Sequence, residues 1–159
     1  MPETFFPALV TALYTRWSAN QQLKDRQVAV YDGPPTNQAS AGHKELFVGA
    51  SGEDYGDGED AGATEQEWAN ANTTERDSYE QVVCGIWWKQ DGPDLATVRA
   101  GVAEILDIVA ADLRADVTVG GAVTFQAEIT SVRWRQIQTT TGPQIGAVFI
   151  VRAWSRVYI

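Results

Sequence analysis

The spacing of hydrophobic residues near the start of the chain predicts an amphipathic helix. Apolar side chains recur at intervals of three and four residues from Phe6 to Trp17, which places them on one stripe of a helix. We predict a helix over about residues 5–19, with Thr4 as its N-cap. Pro7 is compatible with this helix because the N–H that it lacks has no partner in a first turn.

A longer helix is predicted in the middle of the chain, over about residues 94–115. Its stripe consists of apolar residues at helical spacing, namely Leu95, Val98, Val102, Ile105, Leu106, Val109 and Leu113. Asp94 precedes the stripe and is a suitable N-cap. Gly101 lowers the helix propensity by about 1 kcal/mol, so we expect it to permit close approach to a sheet.

Alternating apolar and polar residues predict strands in the other segments. These strands cover about residues 27–31, 45–49, 64–71 and 79–89, followed by two long C-terminal strands that form a hairpin. The odd-numbered apolar residues of the two C-terminal strands share one face only if the loop has an odd length, such as residues 140–142. The expected fold is α+β: a mostly antiparallel sheet with a long C-terminal β-hairpin, packed against the two helices.

The face of the hairpin that points away from the long helix has an unusual composition. Its residues are Glu128, Val132, Trp134, Val148, Ile150, Arg152, Trp154, Arg156 and Tyr158. Tryptophan, tyrosine and arginine dominate protein–protein contacts, whereas surfaces that meet only water are rich in lysine and glutamate. Two interpretations remain open, and both could hold along different parts of the hairpin. Either this face is a subunit interface, formed by Trp134, Arg152, Trp154, Arg156 and Tyr158, or the first helix covers it as a second core layer.

Composition narrows the class of protein. A length of 159 residues fits a single domain over residues 1–159, and 44% hydrophobic with 21% charged residues is typical of a folded chain. No apolar run approaches the ~20 residues of a membrane span, so we expect folding in a cytoplasm and no membrane partner. A net charge of −9 argues against sequence-independent binding of nucleic acid, which requires lysine and arginine at the phosphates.

Most of the negative charge lies in one segment. From Glu53 to Glu67 the chain has seven acidic residues and no basic one. We expect a flexible, acidic and glycine-rich loop over about residues 51–63. Its acidic residues are Glu53, Asp54, Asp57, Glu59 and Asp60. Their spacing does not match an EF-hand, so a solvated run of charges is favoured over a calcium site.

No catalytic or metal-binding constellation is recognisable. The one cysteine, Cys84, lies in an apolar run that indicates burial, and the one histidine, His43, lies in a Gly/Ser/Ala segment typical of a solvated loop. A structural zinc site needs more cysteine and histidine ligands than these two. No glycine-rich segment continues into the Gly-Lys-Ser/Thr of a phosphate loop. We therefore predict no enzymatic activity, no metal and no cofactor.

The order of these elements resembles that of a known family. The segments that carry the likeness are residues 5–9 (FFPAL), 28–31 (VAVY), 75–88 (ERDSYEQVVCGIWW), 99–106 (RAGVAEIL) and 120–123 (GGAV). Together with the final hairpin, they resemble the tail terminator, or tail completion, proteins of long non-contractile-tailed bacteriophages. The likeness extends over nearly the whole chain.

The resemblance implies a structural virion protein at the head-proximal end of the tail. Such a protein forms a ring, expected to be a hexamer, that caps the tail tube, ends tube polymerisation and provides the surface for head–tail joining. The implied partners are further copies of the chain, the tail tube protein, head–tail connector proteins, and genomic DNA that passes without specific binding. In that setting the acidic loop would line the lumen or face outward as a docking element.

Two other functions remain open from the sequence. A head-side connector or stopper protein of the phage neck would share the small size and the ring. A calcium-dependent binding module is less favoured, because the acidic spacing does not match a calcium loop.

Overall fold

The helices and strands follow the predicted order, apart from one short helix that the sequence analysis did not predict. The computed structural model describes residues 4–34, 44–53, 59–68, 75–89, 94–139 and 142–158. Its helices are α1 (Phe6–Ala19), α2 (Gln21–Asp25) and α3 (Leu95–Ala115). Its strands are β1 (Val28–Asp32), β2 (Lys44–Val48), β3 (Gly62–Trp68), β4 (Glu75–Lys89), β5 (Gln126–Thr139) and β6 (Gly142–Tyr158). The predicted α+β class is confirmed.

One mostly antiparallel sheet contains all six of these strands. The strand order is β1-β2-β4-β6-β5, and β3 pairs with the N-terminal half of β4 on the same side as β2. β1 and β2 run parallel, whereas the other pairs are antiparallel. β4 and β6 pair along their whole shared length, from Glu75 opposite Tyr158 to Lys89 opposite Gln144.

The two long helices pack on the same face of the sheet, which we call the helix face. Leu13 and Trp17 of α1 and Val102 of α3 belong to one core cluster with Cys84 of β4 and Phe149 of β6. We call the opposite face the open face. The interpretation in which the first helix covers that face is therefore wrong, because the buried side chains of α1 belong to the core on the helix face.

An arginine joins the two helices across the surface of this layer. Arg16 of α1 donates to both oxygens of Asp112 of α3, at 3.1 and 3.0 Å, and reaches Asp116 at 3.1 Å. The hydrogen bond with Asp112 raises the pKa of Arg16. A guanidinium shared by two carboxylates fixes the orientation of α1 relative to α3.

The helix boundaries agree with the sequence except at one cap. The carboxylate of Asp94 accepts a hydrogen bond from the Thr97 N–H at 2.8 Å, as predicted for the start of α3. Gly101 lies against Trp88, where an added Cβ would come within 2.2 Å of the indole, so the expected close approach to the sheet is confirmed. Thr4 is not the N-cap of α1: that position is Phe5, and the Thr4 hydroxyl accepts from the Phe6 N–H at 3.1 Å.

A β-bulge sets the register of the hairpin and corrects the predicted loop. At its base, Ala127 lies opposite Ala153, which places odd-numbered residues together as predicted. The ladder shifts between Ile129 and Ser131, and beyond this bulge Trp134 lies opposite Ala147. An extra residue within a strand moves the following side chains to the other face. The prediction that an odd-length loop sets the register is wrong, because Thr139 pairs with Gly142 across two residues.

Acid should weaken the turn after α3 through Asp116. Hydrogen bonds from the Thr118 hydroxyl and the Gly120 N–H, together with Arg16, hold the pKa of Asp116 below its usual range. A lowered folded-state pKa stabilises the fold above about pH 4, and this contribution is lost as the pH falls through the folded-state value. Asp116→Asn should therefore be less stable than the native chain near neutral pH, and the gap should close in acid. Denaturant titrations from about pH 7 to about pH 2 measure this, and a gap independent of pH would contradict it.

The structure places the one cysteine of the chain in the core. Cys84 is buried in the core, and desolvation raises the pKa of its thiol to about 12. None of the described helices has the length and hydropathy that crossing a membrane requires. His43 lies outside the described residues.

Candidate interaction surface

A short segment covers one end of the open face. The carbonyl of Ser51 accepts the indole N–H of Trp87 at 2.7 Å, and Phe47, Ala50 and Trp87 form a small second core. Gly85 is required beneath this segment, since an added Cβ would come within 1.8 Å of the Ser51 carbonyl oxygen. Residues 49–53, which follow β2, therefore lie directly on the sheet.

The other end of the open face carries a cluster that we call the aromatic–arginine patch. It consists of Tyr79, Phe125, Arg152, Trp154 and Arg156. The rings of Tyr79 and Trp154 are stacked at 6.0 Å, and the Phe125 ring lies 4.4 Å from that of Trp154. Trp154 is still 38% exposed. No described helix covers this large aromatic surface.

Both arginines of the patch are held in place by neighbours. The guanidinium of Arg152 lies 4.9 Å from the centre of the Tyr79 ring, and that of Arg156 lies 5.4 Å from Phe125. Arg156 also donates to Asp77 at 3.0 Å. Side chains ordered before binding lose less entropy when a partner arrives. The patch is therefore a preorganised surface of the kind that forms binding hot spots.

Three of the five residues predicted for the interface can be placed on this surface or next to it. Arg152, Trp154 and Arg156 lie together on the open face, as the sequence predicted. Trp134 does not join them, because the bulge turns it to the helix-face side, where it is 46% exposed. Val132 is displaced in the same way. Tyr158 ends β6, and its side chain lies outside the described part of the chain.

Sequence reasoning missed two members of the patch. Tyr79 belongs to β4 and is the register partner of Trp154, a relation that only the pairing of β4 with β6 reveals. Phe125 precedes β5, and its N–H donates to the Trp154 carbonyl at 3.2 Å. The alternation of β4 was the available signal for Tyr79. Tyr79 and Asp77 are both odd-numbered, so they lie on the same face of this strand.

The acidic segment is partly tied to the body of the protein. Glu53 forms an ion pair with Arg135 of β5 at 2.8 Å, and its side chain is nearly buried. The Glu59 carboxylate accepts the Ser51 N–H at 2.9 Å. Asp60 is exposed. The predicted loop residues Asp54 and Asp57 lie outside the described residues. In the described ranges, no group of three or more His, Cys, Asp and Glu residues is arranged to hold a metal ion.

The part of β5 beyond the bulge is exposed to solvent. Residues 130–136 of β5 are exposed on both faces. A shallow cavity of about 310 Å³ lies between this strand and the start of α3, lined by Arg99, Trp134, Arg135, Gln136 and Ile145. The exposed Trp134 thus lies at this cavity, which is a second apolar site separate from the aromatic–arginine patch.

Comparison with known proteins finds a shared fold. No family model and no curated protein matches the chain. Among solved structures, the chain is similar to one in the virion of a native gene transfer agent particle, with a TM-score of 0.52 and 16% identity. The match covers 97% of this chain and 100% of that chain. The two chains therefore share a fold over nearly their entire lengths.

Proposed function

We propose that this chain is a structural protein of a phage-like virion and acts through assembly rather than catalysis. The observation that carries the proposal is the aromatic–arginine patch, a preorganised surface that no described helix covers. The fold shared with a chain of a gene transfer agent virion supports the same function. Exposed tryptophan beside ordered arginine is typical of a surface that is buried in a complex.

Within the virion, we place the chain at the head-proximal end of the tail. There it would form a ring, expected to be a hexamer, that caps the tail tube, stops tube growth and joins the tail to the head. The order of elements along the sequence supports this finer assignment through its resemblance to tail terminator proteins. The partners are then further copies of the chain, the tail tube protein and the connector proteins of the head.

A ring imposes a specific type of contact on the patch. Subunits related by rotation meet through two different surfaces, so the patch of one copy contacts another region of the next. A stable contact of this kind buries about 800 Å² on each partner. We assign Arg152, Trp154 and Arg156 to this subunit interface. Tyr158 would join them, and Trp134 would serve a contact on the helix-face side.

The acidic residues of the loop after β2 are assigned two different functions in this proposal. Glu53 and Glu59 have partners within the chain, which favours a structural function for these two carboxylates. Asp60 is exposed, and with Asp54 and Asp57 it would line the lumen or face a docking partner. Negative charge at a lumen keeps the passing genome from adhering, because affinity for DNA comes from cations at the phosphates.

The direct test is the length of tail tubes grown in the presence of the chain. Tube protein from the same virus is allowed to polymerise with and without the purified chain, and lengths are measured by electron microscopy. We expect shorter tubes, each capped at one end. Uncapped tubes of unchanged length would contradict the terminator function. Co-purification with tailless capsids would instead support a head-side connector, and thermal stabilisation by calcium that chelator reverses would support a binding module.

A further inference from the structure

The sheet has open edges that are suited to pairing with another strand. Among the described residues, β5 pairs with β6 alone and β3 pairs with β4 alone. The outer side of each strand therefore presents backbone N–H and C=O groups with no strand beside them. Such edges pair readily with strands of another chain. Beyond the bulge, the regular stretch of β5 from Ser131 to Thr139 is long enough to accept one.

The two edges carry opposite charges on the same face. Arg133 and Arg135 lie two residues apart on β5, opposite Val148 and Gly146 of β6, which places them on the open face. Glu65 and Glu67 also lie two residues apart, opposite Tyr79 and Asp77 of β4, on the same face. All four residues are exposed. β1 is a third open edge, and no such pair of charges lies on it.

The directions of β3 and β5 allow these two edges to pair when both copies have their open faces on the same side. β3 and β6 are both antiparallel to β4, and β5 is antiparallel to β6, so β3 and β5 run in opposite directions. When two copies stand side by side with their open faces on the same side, β5 of one is therefore antiparallel to β3 of the next. A contact between two different edges is heterologous and can close into a ring.

We propose that β5 of one copy pairs antiparallel with β3 of the next, with Arg133 opposite Glu67 and Arg135 opposite Glu65. This inference rests on the proposed ring and names the strands that join its subunits. Directly opposed side chains in an antiparallel pair have their Cβ atoms about 5 Å apart, which suits an ion pair. Trp134, between the two arginines, would then be covered by the neighbouring copy on the helix-face side.

The aromatic–arginine patch lies close to this contact. Tyr79 is the register partner of Glu65, so the patch begins one strand inward from the β3 edge. Neighbouring strands lie about 4.8 Å apart, so a strand of the next copy paired with β3 would lie about 10 Å from β4, which carries Tyr79.

Charge reversal at Arg133 and Glu67 tests this arrangement. Arg135 is left unchanged because it has Glu53 as a partner within its own chain. R133E places a carboxylate opposite Glu67 and E67R places a cation opposite Arg133, so each variant alone should assemble at least about tenfold more weakly. Mixed in equal amounts, the two should regain assembly, because alternating copies match at every contact. K24E, on α2, is the control and should assemble like the native chain.

The readout is solution mass over a range of concentrations, alone and with tail tubes. Weakened assembly of each variant with recovery in the mixture is the expected result. Native-like assembly of both variants, or no recovery in the mixture, would overturn the edge pairing while leaving the ring intact. A native chain that stays monomeric with and without tubes would overturn the proposed function itself.

Discussion

Replacing Trp154 with alanine and Arg156 with glutamate is expected to give a folded chain that no longer assembles. Both side chains lie on the open face, away from the core, so the fold should lose about 1–2 kcal/mol from the aromatic contacts of Trp154. A hot spot contributes about 2 kcal/mol or more to association, which corresponds to at least about thirtyfold weaker binding. Solution mass measures the assembly, and circular dichroism measures the fold.

A matched control separates this effect from the general effect of removing an exposed apolar side chain and reversing a surface charge. Val117 is 38% exposed, the same fraction as Trp154, but lies in the turn after α3. Val117→Ala combined with Lys24→Glu should therefore assemble like the native chain. Arg156 forms ion pairs with Asp77 and Glu75, so Arg156→Glu would bring a third carboxylate to this position. Arg156→Gln is therefore also made, because it removes the cation without adding a carboxylate. Assembly of the Trp154→Ala/Arg156→Glu variant with native affinity would show that the patch is not an interface.

Gly85→Ala should be the most damaging small substitution on the open face. Its Cβ would come within 1.8 Å of the Ser51 carbonyl oxygen and 2.5 Å of the carbonyl carbon. Those atoms belong to backbone, which has to move away from the sheet and lose the indole hydrogen bond of Trp87. We expect a loss of about 2–3 kcal/mol in the free energy of unfolding and a Tm about 8 °C lower.

Val83→Ala provides the comparison on the same strand. Val83 lies two residues before Gly85 on the same face and is only partly buried. Removing methyl groups there inserts no atoms against Ser51, so a cost of about 1 kcal/mol is expected. Thermal and denaturant unfolding measure both variants. Equal stability of Gly85→Ala and the native chain would mean that the segment after β2 does not lie on the sheet as described.

The sequence predicted the long elements because each carries its own periodicity. The stripe of α3, its Asp94 cap and the function of Gly101 depend on local spacing, and all three are confirmed. The buried carboxylate of Glu80 could not be predicted in this way. It accepts hydrogen bonds from the hydroxyls of Thr4, Thr64 and Ser78, which come from three separate parts of the chain.

The interaction surface was only partly predictable for a related reason. Arg152, Trp154 and Arg156 alternate along one strand, so their common face follows from the sequence. Trp134 was placed wrongly because a bulge between Ile129 and Ser131 leaves no clear mark in an alternating strand. Periodicity also does not determine which face of the sheet the first helix covers, since a helix with one apolar stripe can pack on either face.

The most direct test of this account is the solution mass of the native chain. Light scattering behind a sizing column is measured at low and high salt, with and without tail tubes. We expect a ring of six copies, about 104 kDa for a chain of 17.4 kDa, either alone or after tubes are added. Arginine contacts predict that the ring weakens at high salt. A strict monomer under all of these conditions would contradict the assembly function assigned to the open face.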